Sequence, residues 1–321
     1  MRGARVVASG ALTAALLTAC VHPVDVEPTD QGSPVTTGST STETSTTDTS
    51  STSHPSLQET DLPSTLRVAI SFDQPGVGLR EGNTYSGLDA DVARYIARYL
   101  GISRITFVEG ITNQRETLLA TGQADLVLAA YSITPERADE VTFAGPYLTT
   151  GQDLLVAKRS TIRTPKQLRG TTVCSVEGST STSELVNDYP GLHLTVQPRV
   201  SDCIKLLKQG KVEAVTSDSA VLATFAQKSK APDKLRLSGK PFTKEQWGVA
   251  MRRTDSALCE DVSDALADMV KSGAWKRAVH DNLGTGRTLS KRTLTPPKLR
   301  ACPPPRTSTS STSDTSSPTS S

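Results

Sequence analysis

Aromatic side chains supply only 4% of this 321-residue chain. Such a thin supply leaves no greasy wall for an apolar or aromatic ligand. Histidine occurs four times, as His22, His54, His193 and His280, too scattered for a His-built metal site. No CxxC pair is present, and no apolar run approaches the roughly 18 residues a membrane-spanning helix needs. Neither sign of charge dominates. Lys plus Arg is 35 and Asp plus Glu is 33, a net charge of +2 without a basic cluster, so nucleic acid is not an expected partner. The polytopic transporter, the coiled coil and the DNA-binding protein are thereby excluded. Nor is there a nucleophile elbow or a Cys/His dyad, so no catalytic residue, cofactor or metal ligand is assigned. Glu177 beside Gly178 is the acid an enzyme would best use, and it reads equally well as a solvent-facing loop residue.

What is present begins with a leader. Arg2 and Arg5 precede a short apolar run from Val6 to Ala19, the dimensions of a secretory signal core rather than a membrane span. The run ends in Leu17-Thr18-Ala19-Cys20, which resembles the cleavage motif of bacterial lipoproteins. Residues 1–19 are therefore expected to be a signal peptide and Cys20 the lipidated (palmitate-bearing) N-terminus, which would place the protein on the extracellular face of the cytoplasmic membrane. Residues 20–62 and 303–321 are rich in Ser, Thr and Pro and too polar to bury anything; they read as a disordered tether and tail. About 240 residues remain, enough for two compact lobes with their own cores.

Cys20 accounts for the odd member of five cysteines. Cys174, Cys203, Cys259 and Cys302 then permit three pairings. Local pairing, 174 with 203 and 259 with 302, is the economical choice, and each bridge contributes about 3–4 kcal/mol on the chain-entropy model.

Strand and helix signals alternate along the folded part. Leu66–Ile70 reads as a strand, followed by a helix from Asp91 to Leu100 with Val92, Tyr95, Ile96 and Tyr99 on one face. Ile105–Val108 is a second strand, residues 115–120 a helix, and Ala124–Ala129 a buried third strand. Thr134-Pro135 reads as the cap and first residue of another helix. Thr171–Val176 is a strand, Ser181-Thr182-Ser183-Glu184 has the capping-box pattern of a helix start, and Ser201 is expected to cap a helix ending at Gly210. Strands at Glu213–Thr216 and Gly248–Met251 precede helices over 256–271 and 274–282. Repeated βα units predict an α/β protein with mostly parallel sheets covered by helices.

Five stretches stand in order between about 64 and 285. These are Tyr85-Ser86-Gly87-Leu88-Asp89-Ala90-Asp91-Val92 and Ala124 to Arg137 followed by Phe143-Ala144-Gly145-Pro146-Tyr147. Then come Gly178-Ser179-Thr180-Ser181, Ala214-Val215-Thr216-Ser217-Asp218 and Gln246-Trp247-Gly248-Val249-Ala250. In these stretches the chain resembles the polar-amino-acid family of bacterial solute-binding proteins, the substrate receptors of ABC importers. Phe72-Asp73-Gln74-Pro75-Gly76 and Asn113-Gln114-Arg115-Glu116-Thr117 look most like glutamate-binding members from Gram-positive bacteria with GC-rich genomes. The resemblance implies a two-lobed periplasmic-binding-protein-like fold with two hinge crossings. Lobe 1 would hold residues 64–148 plus 247–285, lobe 2 residues 152–243, and 286–302 would form a C-terminal strap onto lobe 1. A monomer is expected, with a membrane-embedded ABC permease as partner. A signalling membrane protein in that role, or an enzyme of the same fold, are the alternatives.

A free amino acid presents a carboxylate and an ammonium, and a dry cleft must pair both. Arg137 offers a bidentate fork for the carboxylate. Ala130, Ser132 and the helix start at Thr180-Ser181 offer neutral partners with a favourable dipole. Asp218, ending a strand, suits the ammonium. The resemblance implies the same work for residues at these positions, whereas the bland reading makes Arg137 and Asp218 ordinary element-end charges. Thr112 stands where glutamine-binding members place an aromatic residue. Arg80 or Arg115 could face a second carboxylate, which favours L-glutamate, then aspartate, with glutamine or asparagine behind.

Overall fold

The computed structural model describes residues 63–284 and 289–304. The expected leader, Cys20, the tether to residue 62 and the tail beyond residue 304 lie outside the described residues.

The chain opens with strand β1 (Thr65–Ile70), three short strands β2 (Asp73–Gln74), β3 (Gly78–Glu81) and β4 (Thr84–Ser86), and helix α1 (Leu88–Tyr99). Strand β5 (Arg104–Glu109), helix α2 (Arg115–Ala120), strand β6 (Leu126–Val127), helix α3 (Pro135–Glu140) and the long strand β7 (Val141–Thr150) follow. The middle of the chain is β8 (Gln152–Ala157), β9 (Thr172–Val176), α4 (Thr180–Asp188), β10 (His193–Gln197), α5 (Val200–Lys208), β11 (Ala214–Asp218), α6 (Ser219–Lys228) and β12 (Leu235–Leu237). It closes with β13 (Glu245–Arg252), α7 (Ser256–Lys271) and α8 (Ala274–Leu283).

Two five-stranded sheets result, ordered β5-β1-β6-β13-β7 and β10-β9-β11-β8-β12. In the first, β5, β1 and β6 are parallel, and β13 runs against both β6 and β7. In the second, β10, β9 and β11 are parallel, and β8 runs against both β11 and β12. Four strands of each sheet thus point one way. The strand that opposes them is in each case the first one formed after the chain crosses between sheets. This is the two-lobed architecture, mostly parallel, with two hinge crossings. The crossings are bonded to each other: Gln152 N donates to Thr243 Oγ1 at 2.9 Å and Phe242 N to Gln152 O at 2.9 Å. A Cβ on Gly151 would lie 2.3 Å from Thr243 O, so only glycine lets the two segments pass this closely.

Helix α1 buries Val92 and Ile96 and leaves Tyr99 43% exposed at its end. It begins three residues before the expected Asp91, because Gly87 at φ 113° turns the chain where a Cβ would strike Val77 O at 2.4 Å. Three further expectations need correction. The third strand shrinks to Leu126–Val127, since Ala129 and Ala130 leave the extended region at φ 41° and 49°. The cap of α4 is Ser179, whose hydroxyl accepts from Thr182 N, and not Ser181; Glu184 lies inside the helix. Ser201 does not cap α5 either. Its own backbone N–H is taken by Asp73 Oδ2 at 3.0 Å, a carboxylate from β2 beside the first sheet. Thr134 and Pro135 do open α3 as expected.

Both local disulfides are present. Cys174–Cys203 pins α5 to β9, and Cys259–Cys302 ties the segment after α8 to α7. The closing segment passes α6 and β12, where Leu289 and Ser290 line one groove with Ala226 and Leu235. It then reaches the first sheet, where Arg300 N donates to Gly145 O at 2.7 Å.

Candidate functional site

Parallel strands leave their carboxyl ends open to ligands, because the turns that follow are free to vary while the strands stay fixed. Here such ends from both sheets converge on one small cleft, with free space of about 40 Å³ between its side chains.

Asp218 ends β11 and is 6% exposed. Its Oδ2 accepts from Trp247 Nε1 at 2.5 Å, whereas its Oδ1 is buried without a partner. Burial first, and repulsion from Glu245 second, push its carboxyl up to about 8, against the pull of Trp247, Arg137 and Arg115.

Arg137 sits in the first turn of α3, its backbone N–H received by Thr134 Oγ1 at 3.2 Å. Nη1 donates to Ser132 O and Nη2 to Gly178 O, each at 2.9 Å, so this side chain bonds backbone that follows a strand of each sheet. Arg115 opens α2 and is only 3% exposed. Its Nε donates to Thr112 O at 2.9 Å and its Nη1 to Ala129 O at 3.4 Å; Nη2 has no partner. Burial, then the neighbouring Arg137, lowers the pKa of its guanidinium to about 9.

The neutral wall is set from behind. Ala130 N donates to Asp89 Oδ2 at 3.0 Å, and Asp89 Oδ1 accepts from Tyr147 OH at 2.6 Å. Asp89 is wholly buried, which raises its carboxyl to about 7 despite those two bonds. It fixes the left-handed turn at Ala129 and Ala130. Ser132 bridges to Trp247 in the sheet, and Thr180 and Ser181 open α4 across the cleft.

Of the residues expected from sequence, Arg137, Asp218, Ser132, Ala130, Thr180, Ser181 and Arg115 all line this cleft. Arg80 does not. Its Nε donates to Gly82 O on the exposed β3–β4 turn, and its guanidinium lies 5.6 and 5.7 Å from the ring centres of Phe72 and Tyr85. Those two rings hold it on the outside. Gln74 was missed: it is buried, lines the cleft, and leaves Oε1 unpartnered. The only signal for it was a polar residue ahead of Pro75-Gly76 in the turn after the first strand. Asp218 Oδ1, Gln74 Oε1 and Arg115 Nη2 thus give two acceptors and one donor without partners in one small space. Zwitterion capture needs such a set. Among the described residues no helix is long and apolar enough to cross a membrane, and no cluster could hold a metal ion.

Fold and cleft together define a two-lobed binding protein that holds a small polar ligand between its sheets. The chain belongs to the bacterial extracellular solute-binding proteins, family 3, whose model matches residues 66–285. It is 35% identical over 229 residues to the glutamate-binding protein GluB of Corynebacterium efficiens, covering 68% of this chain and 78% of that one. It is 34% identical over 192 residues to the glutamine-binding protein GlnH of Bacillus subtilis, covering 59% and 69% respectively. Among solved structures, an ancestral arginine-binding protein bound to glutamine superposes with a TM-score of 0.66 at 29% identity, covering 70% of this chain and 100% of that one. An ancestral amino acid-binding protein that preceded cyclohexadienyl dehydratase gives 0.62 at 27% identity, covering 68% and 95%.

Proposed function

We propose that this chain captures a polar L-amino acid, glutamate before aspartate and then glutamine or asparagine, and delivers it to an ABC importer. One observation carries the reading: an unpartnered carboxylate oxygen of Asp218 shares a small buried cleft with two guanidiniums. Asp218 and Gln74 receive the ammonium. Arg137, with the amides opening α4, receives the α-carboxylate. That leaves Arg115 Nη2 for a second anionic group, which the zwitterion of a neutral amino acid lacks. The GluB relatives at 35% identity support the acidic choice. The receptor acts as a monomer, with lobes of residues 64–148 plus 247–285 and 152–243 closing about the crossings. It is not an enzyme. Cys20 carries the lipid that anchors it outside the cytoplasmic membrane.

A calorimetric screen of the twenty amino acids against residues 60–302 tests the ligand. Tight glutamate binding is expected; glutamine binding without a glutamate signal would sink the acidic choice. Cys20→Ser should release the protein or leave it unprocessed. A mature-size variant that stays on the membrane would remove the anchor.

A further inference from the structure

Two guanidiniums in one buried cleft repel each other, and something other than ligand must hold them together. Among the described residues neither Arg115 nor Arg137 forms an ion pair. Their hydrogen bonds go to backbone carbonyls of Thr112, Ala129, Ser132 and Gly178. What they share is a ring. Tyr131 lies with its centre 4.0 Å from Arg115 Cζ and 4.9 Å from Arg137 Cζ. It is fully buried and does not line the cleft itself. Its hydroxyl donates to Glu116 Oε1, and the edge of Phe143 fixes it from the side at 5.0 Å. The face of an aromatic ring is negative, so a ring is a partner that accepts two cations without consuming the hydrogen-bond donors they need for a ligand. A carboxylate in the same place would neutralise one of them. Glu116 is kept one step back, on the far end of the phenol.

We propose that Tyr131 is a positioning residue that holds the Arg115 and Arg137 guanidiniums together at the cleft and so sets the preference for an amino acid with two carboxylates over its amide. This rests on the acidic-ligand reading above. A glutamate side chain needs Arg115 charged and in place, whereas a glutamine side chain can accept a hydrogen bond from many donors. Weakening the ring should therefore cost glutamate more than glutamine.

The test uses ring electronics. Tyr131→Phe keeps the face and removes the hydroxyl, and a series of increasingly fluorinated phenylalanines at the same position drains the face while nearly keeping its shape. Glutamate and glutamine are titrated calorimetrically against each purified full-length variant, and the melting midpoint is recorded. Tyr131→Phe is expected to keep the wild-type ratio of affinities. From Phe to the most fluorinated ring, glutamate affinity should fall stepwise by about tenfold, with glutamine falling less. Equal losses for both ligands mark a merely structural ring and overturn the inference, as does a glutamate affinity that ignores fluorination. So does Tyr131→Phe collapsing the ratio by itself, since the hydroxyl and not the face would then be responsible. A wild type that binds glutamine and not glutamate fails at an earlier point, in the ligand assignment, and is distinguished from these outcomes before any variant is made.

Discussion

Asp218→Asn should make the ligand-free protein more stable and the receptor useless. The carboxyl is pushed from 3.8 to about 8, chiefly by burial. A carboxyl raised on folding contributes its stability in full below the unfolded value, near pH 4, and loses it as pH climbs through about 8. Four pKa units set a ceiling of about 5 kcal/mol, and coupling to Glu245 with some relaxation reduces this to about 2–4 kcal/mol. Asparagine removes the titration but keeps an oxygen for Trp247 Nε1. Its amide nitrogen then stands where Oδ1 stood, a donor facing an ammonium. The stability gap between variant and wild type should open between about pH 4 and about pH 8, as read by thermal or urea denaturation at several pH values. Ligand affinity should drop at least about a hundredfold, since removing one partner strands a buried charge at about 3–5 kcal/mol. A variant that is less stable than wild type at pH 8 would refute the first expectation, and one that still binds glutamate within about tenfold of wild type would refute the second.

Asp73→Ala removes the carboxylate that receives Ser201 N across the cleft. It should weaken glutamate and glutamine alike by about fivefold, the size of a lost helix cap, with little change in the ligand-free melting point; a ligand-selective effect would contradict this. Cys302→Ser opens a bridge spanning 43 residues. The loss should be about 4 kcal/mol in urea denaturation, and an unchanged midpoint would mean the terminal segment is held by its other contacts alone.

Period and punctuation carried most of the fold. Helices over 256–271 and near 274–282 fall where the sequence places them, because each carries its own apolar stripe, with Cys259, Val262, Leu266 and Met269 buried on the first and Trp275, Val279 and Leu283 on the second. What escaped was decided by partners distant in sequence. Ser201 reads as a cap only if the helix is considered alone; Asp73, 128 residues earlier, supplies an acceptor there instead. Ala124–Ala129 has the composition of a full strand, yet Asp89 takes Ala130 N and turns the end into the cleft. Arg80 and Arg115 were indistinguishable as isolated cations, and aromatic neighbours sort them. Phe72 and Tyr85 keep the first outside, whereas Tyr131 lies beside the second within. Arg137 and Asp218, proposed to pair the two backbone charges, were legible because one lies in the first turn of a helix with a clear Thr134-Pro135 start and the other ends a strand. Gln74 was not, since it lies in a two-residue strand with no periodicity of its own.

The bonded crossings carry a mechanical consequence. Two independent strings would let the lobes slide, twist and splay as well as swing. Thr243 against Gly151 and Gln152, continued by the pairing of β13 with β7 from Glu245↔Thr150 onward, makes the pair a ribbon. A ribbon resists shear in its own plane and bends across it. Of the relative movements open to the two sheets, bending across this ribbon is therefore the easiest.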